Sequence, residues 1–147
     1  MPSIIKVILA GDTHAVRHPI LRQGRPIEDC IFAGDHDPDT LHLGAFMEDK
    51  LVGVLSAYQR SHPDFKTEKS YQIRGVAVMT NHHRKGIGKA LMSHIETLLI
   101  EREIDVIWLN ARIGALAFYT SIAYTQIGTA FEIEKIGTHY CFYKKLK

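Results

Sequence analysis

"HHRKGIGKALMSHIETLL" (residues 82–99) sets two glycines one residue apart, behind a basic cluster and at the head of an apolar-periodic segment. Ile87, Leu91, Ile95, Leu98 and Leu99 recur at helical spacing, which predicts an amphipathic helix with one stripe facing a core. The stretch before it, "YQIRGVAVM" (71–79), is β-rich and apolar on both faces toward its end, as a central strand would be. A helix start behind a strand presents unpaired backbone N–H groups and a partial positive charge. Gly86 and Gly88 admit φ > 0 and close approach of a ligand, and Arg84, Lys85 and Lys89 add charge. Such a turn suits a diphosphate.

Two familiar phosphate patterns fail on the residues. A Walker A loop needs Ser or Thr after its lysine, and Ala90 follows Lys89. The dinucleotide pattern needs a third glycine where Leu91 stands.

Working outward, "SIIKVIL" (3–9) predicts a strand, and Asp12 or Thr13 a cap for a helix to about Leu21 that Pro19 bends or shortens. Residues 22–40 are irregular and end in the turn-forming "GDHDPDT". "LHLGAF" (41–46) and "KLVGVLSAY" (50–58) flank "MED" as a hairpin. After the helix come a strand "DVIWLNA" (105–111), a short helix "IGALAFYTSIA" (113–123), and two strands, "TQIGTAFEI" (125–133) and "THYCFYKKL" (138–146). The strands at 71–79 and 105–111, joined by a helix, should run parallel. The reading is one α/β domain over residues 1–147.

Composition narrows the class. With 46% hydrophobic and 23% charged residues, the chain is neither disordered nor a fibrous repeat. A net charge of +2 is too balanced for a dedicated nucleic-acid binder, so an anion site must be local. No apolar run approaches the roughly 20 residues of a membrane span, and the N-terminus reads as a strand with Lys6 in its middle. Cys30 and Cys141, far apart in sequence, read as reduced structural thiols of a cytoplasmic protein.

At this point the sequence resembles the GNAT superfamily of N-acetyltransferases, which use acetyl-coenzyme A. Their cofactor motif, Q/R-x-x-G-x-G/A, is matched by "HRKGIG" (83–88), with His83 where Gln or Arg is usual. "VAV" (76–78) fits the strand end, and Gly86 follows Val78 at the family's offset. "ALAFYTSIAY" (115–124) looks like the second motif, with Ala123-Tyr124 replacing the usual Gly-Phe. The order of elements fits from about Ile4 to Leu146.

The resemblance implies a mixed six- to seven-stranded sheet (α+β) whose central parallel strands splay apart. It implies pantetheine pairing with the backbone of Val76, Ala77 and Val78, and diphosphate on His83, Arg84, Lys85, Gly86, Ile87, Gly88 and Lys89. Asn110 is expected to replace the asparagine that many relatives carry at Arg112, and Tyr119 stands where relatives use a general acid. The expected reaction is acetyl transfer to a primary amine, on a small molecule or peptide, by direct attack in a ternary complex. A catalytically silent acyl-coenzyme A sensor is the alternative, because Gln72 fills a position where some relatives place a glutamate base. Glu132, Glu134 and His139, or an ordered water chain, remain as candidates, and the base is unassigned. Arg74 would bind an acidic acceptor group if its face of the strand is the substrate side. A homodimer is expected by analogy only.

Other constellations fall short. His14 and His18 lack a third metal ligand. Asp35, Asp37 and Asp39 begin like a calcium loop, but Thr40 and Phe46 replace the required glycine and glutamate, so a turn is expected and no metal. The basic run Arg84–Lys89 lacks the aromatic set of a nucleic-acid surface.

Overall fold

The computed structural model describes residues 3–134 and 136–147. Seven strands, β1 (Ile4–Val7), β2 (Leu41–Met47), β3 (Lys50–Gln59), β4 (Ser70–Val78), β5 (Val106–Arg112), β6 (Thr125–Ile133) and β7 (Gly137–Lys145), form one sheet. Their order is β1-β2-β3-β4-β5-β7-β6. The helices are α1 (His14–Leu21), α2 (Ile87–Glu101) and α3 (Leu116–Ser121). The expected mixed sheet is present, with the seven strands at the upper end of the expected number. The chain divides into two compact units, the first comprising residues up to Tyr58 with Arg74–Leu98, the second Gln59–Ile73 with Leu99–Lys147.

In the first unit, β1 pairs antiparallel with β2, and β2 with β3. The hairpin closes between Met47 and Lys50, where Glu48 and Asp49 take φ of 50° and 65°. Two consecutive left-handed residues give the tight turn whose twist matches the flanking strands. Asp12 accepts a hydrogen bond from the Leu9 N–H (3.0 Å), tying down the turn that leads into α1. Pro19 lies inside α1, which stops two residues later at Leu21. Val16, Val54 and Ala77 form a buried cluster against which Ile8, Ile20, Leu21, Leu51 and Met79 pack. The stripe of α2 is buried as expected at Ile87, Leu91 and Ile95, and Met92 joins it. Each such side chain contributes about 1.5–3 kcal/mol on leaving water.

In the second unit, β4 and β5 run parallel, as the strand–helix–strand order requires, in register from Ser70↔Val106 to Ile73↔Leu109. β5 pairs antiparallel with β7 along its whole length, and β7 with β6, whose register breaks between Ile127 and Phe131. Ile107, Leu109, Tyr124 and Phe142 are buried, and the Trp108 indole N–H donates to the Arg60 carbonyl (3.0 Å). Among the described residues no helix is long and apolar enough to cross a membrane.

Candidate active site

The glycine turn has the geometry of an anion cradle. After β4 the chain makes a short turn, with the His82 N–H bonded to the Met79 carbonyl (2.8 Å). Arg84 and Gly86 then take φ of 63° and 76°. The first helical bond of α2 runs from the Ala90 N–H to the Gly86 carbonyl (3.0 Å), so the N–H groups of Ile87, Gly88 and Lys89 precede it. Those are the donors a helix leaves unpaired at its start. A Cβ added at Gly86 would meet nothing within 4 Å, so open space lies over the turn. Ile87 is buried and fixes the turn to the core, leaving only its backbone for a ligand, while Arg84, Lys85 and Lys89 are exposed cations.

His83 serves the turn differently from a phosphate-binding Gln or Arg. Its Nε2 lies 2.8 Å from the Val78 carbonyl oxygen. A carbonyl only accepts, so Nε2 donates and ties the loop to the end of β4. His82 Nδ1 is buried with no hydrogen-bond partner among the described residues, an orphaned polar atom in the same loop.

The edges of β4 can be assigned from alternation. The Met79 N–H donates to the Val52 carbonyl of β3 (2.8 Å), and the Ala77 carbonyl oxygen lies 3.4 Å from where a Gly53 Cβ would stand. Residues 77 and 79 therefore face β3, which turns the N–H groups of Val76 and Val78 to the other edge. Ala77 itself is buried.

In the second unit Tyr119 is 7% exposed, its ring packed against Phe118, Tyr124 and Phe142. Burial pushes its phenol up to about 12. Asn110 is half-buried on β5 opposite Cys141, and Arg112 is exposed opposite His139. Gln72 is buried and accepts a hydrogen bond from Arg60 (3.1 Å), a packing role. Glu132 accepts from the Thr138 hydroxyl, and Glu134 is exposed. His139 is buried, with Nδ1 2.8 Å from the Gly137 carbonyl oxygen. Nδ1 must donate there, which leaves the lone pair on Nε2.

Residues 10–124 match the Acetyltransferase (GNAT) family. The chain belongs to this family. It is 32% identical over 143 residues to the Bacillus subtilis (strain 168) N-acetyltransferase YitI, covering 97% of this chain and 96% of that protein. Its fold matches an aminoglycoside 6'-N-acetyltransferase complexed with coenzyme A (TM-score 0.77, 13% identity, 98% of this chain and 97% of that one). It also matches Ard1 from Thermoplasma volcanium (TM-score 0.77, 17% identity, 99% and 98% covered). As a GNAT protein the chain is an acyltransferase of the N-acetyltransferase type.

One part of this GNAT domain was not legible in the sequence. Asp35, expected only to form a turn with Asp37 and Asp39, is 4% exposed and takes a bidentate pair from the fully buried Arg17 of α1 (2.7 and 3.1 Å). The Tyr58 hydroxyl (2.5 Å) and the Phe32 N–H (2.9 Å) donate to the same carboxylate. Burial alone would raise Asp35; these hydrogen bonds outweigh it and bring it down to about 2. Arg17 also donates to Ser56 (2.8 Å) and to the Cys30 carbonyl (2.8 Å). The Ser56 hydroxyl can then donate to His42 Nδ1 (2.6 Å), whose Nε2 donates to the Asp35 carbonyl (2.8 Å). Burial depresses the His42 pKa, which suits this neutral tautomer. The available signal was weak: His42, Ser56 and Tyr58 are polar residues at inward positions of apolar strands.

Proposed function

We propose that the protein transfers the acetyl group of acetyl-coenzyme A to a primary amine by direct attack in a ternary complex. The observation that carries this is the turn at 84–89, where two left-handed residues precede the first N–H groups of α2, a Cβ at Gly86 would meet nothing within 4 Å, and Arg84, Lys85 and Lys89 are exposed. The residues present fit a diphosphate: N–H donors at a helix start, open space at Gly86, and the exposed cations Arg84, Lys85 and Lys89 in the same turn. The outward edge of β4 suits the pantetheine arm, whose amides would pair with Val76 and Val78 as a neighbouring strand does.

When bound, acetyl-coenzyme A supplies an acetyl group on a thioester. The Val78 N–H, turned away from β3, would receive the thioester carbonyl oxygen and the negative charge that develops on it. Tyr119 would serve the departing sulfur. A phenol at about 12 stays protonated at neutral pH. Moving that proton fully to a thiolate of lower pKa is uphill, so its contribution is a hydrogen bond rather than complete transfer. An alkylamine of pKa about 10.4 gives up roughly 4 kcal/mol to be neutral near pH 7.4. Of the candidate bases, His139 alone combines a burial-held ring with a defined lone pair, at Nε2.

The test is calorimetric titration with acetyl-coenzyme A, beside a Gly86→Glu variant, followed by thioester consumption with a panel of primary amines. Micromolar binding lost in the variant, with turnover by some amines, is expected. Binding without turnover on any amine would favour a silent sensor, and no binding would overturn both.

A further inference from the structure

Gly75 takes φ of 67° inside β4, a left-handed residue in an otherwise extended strand. A Cβ at this position would stand 3.1 Å from the Phe32 ring and 3.5 Å from Arg17 Nε, so both side chains press on the bend from one side. Phe32, 7% exposed, is held in place by guanidinium groups: Arg17 Cζ stands 3.9 Å from the ring centroid, Arg22 5.0 Å and Arg74 5.1 Å. Arg17 is fully buried, and the bonds that fix it leave from Nη1 and Nη2. They run to Asp35 (2.7 and 3.1 Å), the Cys30 carbonyl (2.8 Å), Ser56 (2.8 Å) and Tyr58 (3.1 Å). Those partners come from the connection between α1 and β2 and from β3. Nε, the atom nearest the bend, is buried with no hydrogen-bond partner among the described residues.

Two unfavourable features therefore touch: a left-handed strand residue and an unpaired buried donor. Stability accounts for neither. A buried ion pair can often be exchanged for apolar residues of similar volume without loss, and a regular pleat would dispense with the glycine. Directional bonds add what apolar packing does not, a single specified position for the atoms they hold. Position matters most just beyond the bend. The Val76 N–H comes one residue after Gly75 and the Val78 N–H three residues after it, both on the edge turned away from β3. A shift of about 1 Å at a reacting group costs on the order of 100-fold in rate, and loss of an oxyanion donor about 100- to 1,000-fold. Strain that its surroundings hold in place beside reacting groups is a known part of catalytic design.

We propose that Arg17 is a positioning residue for acetyl transfer: fixed by Asp35, it holds the bend at Gly75 and so sets where the Val76 and Val78 N–H groups meet the thioester. This rests on the acetyl-transfer reading above. Arg17 touches neither reactant on this account. It acts through Phe32 and Gly75, and Asp35 acts through Arg17.

The experiment uses the full-length protein and acetyl-coenzyme A labelled with carbon-13 at the acetyl carbonyl. Infrared spectra of the bound thioester read donation to that carbonyl directly, because a hydrogen bond lowers its stretching frequency. Wild type, Arg17→Lys, Gly75→Ala and the double variant Arg17→Met with Asp35→Leu are compared, each with its urea stability and its calorimetric affinity for acetyl-coenzyme A. The double variant strands no charge, so it separates position from stability. It should fold and bind acetyl-coenzyme A as the wild type does, while its carbonyl stretch returns toward the free value. With an amine that the wild type acetylates, its kcat should fall by about 10- to 100-fold. Arg17→Lys should be intermediate, because it keeps the charge beside Asp35 and loses the planar fork. Gly75→Ala reaches the same bend from the strand side and should lose the same polarisation, which keeps the test open if the double variant does not fold. A folded double variant with the wild-type stretch and kcat would overturn the proposal and leave the ion pair a stability element only. So would weaker cofactor binding with the bound carbonyl still fully polarised, or a wild-type carbonyl that binds without any shift. Failure of the wild type to bind acetyl-coenzyme A would instead bring down the transfer reading beneath it.

Discussion

Replacing Asp35 by Asn preserves the side chain's shape and removes its charge, which isolates what the buried pair contributes. Arg17, with no side-chain exposure, would keep only neutral partners: the Cys30 carbonyl, Ser56 and Tyr58. Leaving one buried charge uncompensated costs about 3–5 kcal/mol, or about 6–20 °C in Tm for a domain of this size. Part of that is tied to pH. Asp35 falls from an ordinary 3.8 to about 2 in the folded protein, a difference that corresponds to about 2 kcal/mol. A depressed carboxyl stabilises the fold fully above its unfolded pKa, and the gain disappears as pH falls through the folded one. The wild type should therefore lose its advantage over Asp35→Asn progressively between about pH 4 and pH 2. Urea unfolding at pH 7, 4 and 2.5 reads both quantities. A loss below about 1 kcal/mol at pH 7, or a gap between the two proteins that stays constant into acid, would refute the reasoning. The companion double variant Arg17→Met with Asp35→Leu should fall less far than Asp35→Asn, since removing both charges leaves none stranded.

Three further outcomes follow from the geometry. Tyr119→Phe should lower kcat by about 10- to 100-fold with little change in acetyl-coenzyme A affinity. Because the phenol sits at about 12, no loss of activity from its ionisation should appear near pH 10; a break there that vanishes in the variant would contradict this. Neither cysteine should react quickly with a thiol reagent at pH 8 in the native protein, and both should react in urea. Cys30 has no exposure and a raised pKa, and Cys141 is pushed to about 11 by burial and by Asp64, so rapid native labelling would count against the fold around them. Gly75→Ala should destabilise by about 1–3 kcal/mol in urea, since its φ of 67° strains an L-residue and its Cβ would stand 3.1 Å from Phe32. A variant as stable as the wild type would show that β4 tolerates a regular pleat there.

What was legible in the sequence was what has a period or a stereotyped turn. The stripe of α2, the hairpin at 41–58 and the parallel order of β4 and β5 all come from repeated spacing. The second motif was legible nearly to its bounds: a 3-10 turn at Ile113–Ala115 leads into α3 at Leu116–Ser121, and the chain leaves it through Ala123 at φ of 73°. That is the position where the family's glycine is usual, and here an L-residue bears the strained conformation itself. In the site, the glycine turn was read from residue types, but the partner of His83 was not, because a side-chain bond back to Val78 has no spacing signature. The Arg17–Asp35 pair was invisible for the same reason. Burial of a charge depends on which partner the fold delivers, and Asp35 is brought back to Arg17 of α1 by a 22–40 connection that carries no periodicity.

β4 shows how the legible and illegible parts depend on one another. Ser70–Ile73 pair in register with β5, while Val76 and Val78 turn their edges away from β3. Between them stand Arg74 and Gly75. A glycine inside a strand gives up about 0.5–1 kcal/mol relative to alanine, and a left-handed one also interrupts the pleat. Such a bend persists only if its surroundings hold it. Phe32 and Arg17 pack directly against Gly75, and Arg17 is fixed by Asp35, Ser56, Tyr58 and the Cys30 carbonyl. The buried ion pair is thus the brace behind the irregular point of the strand. An apolar replacement could match its stability, but it would not hold a guanidinium against Phe32 or leave a donor at the bend.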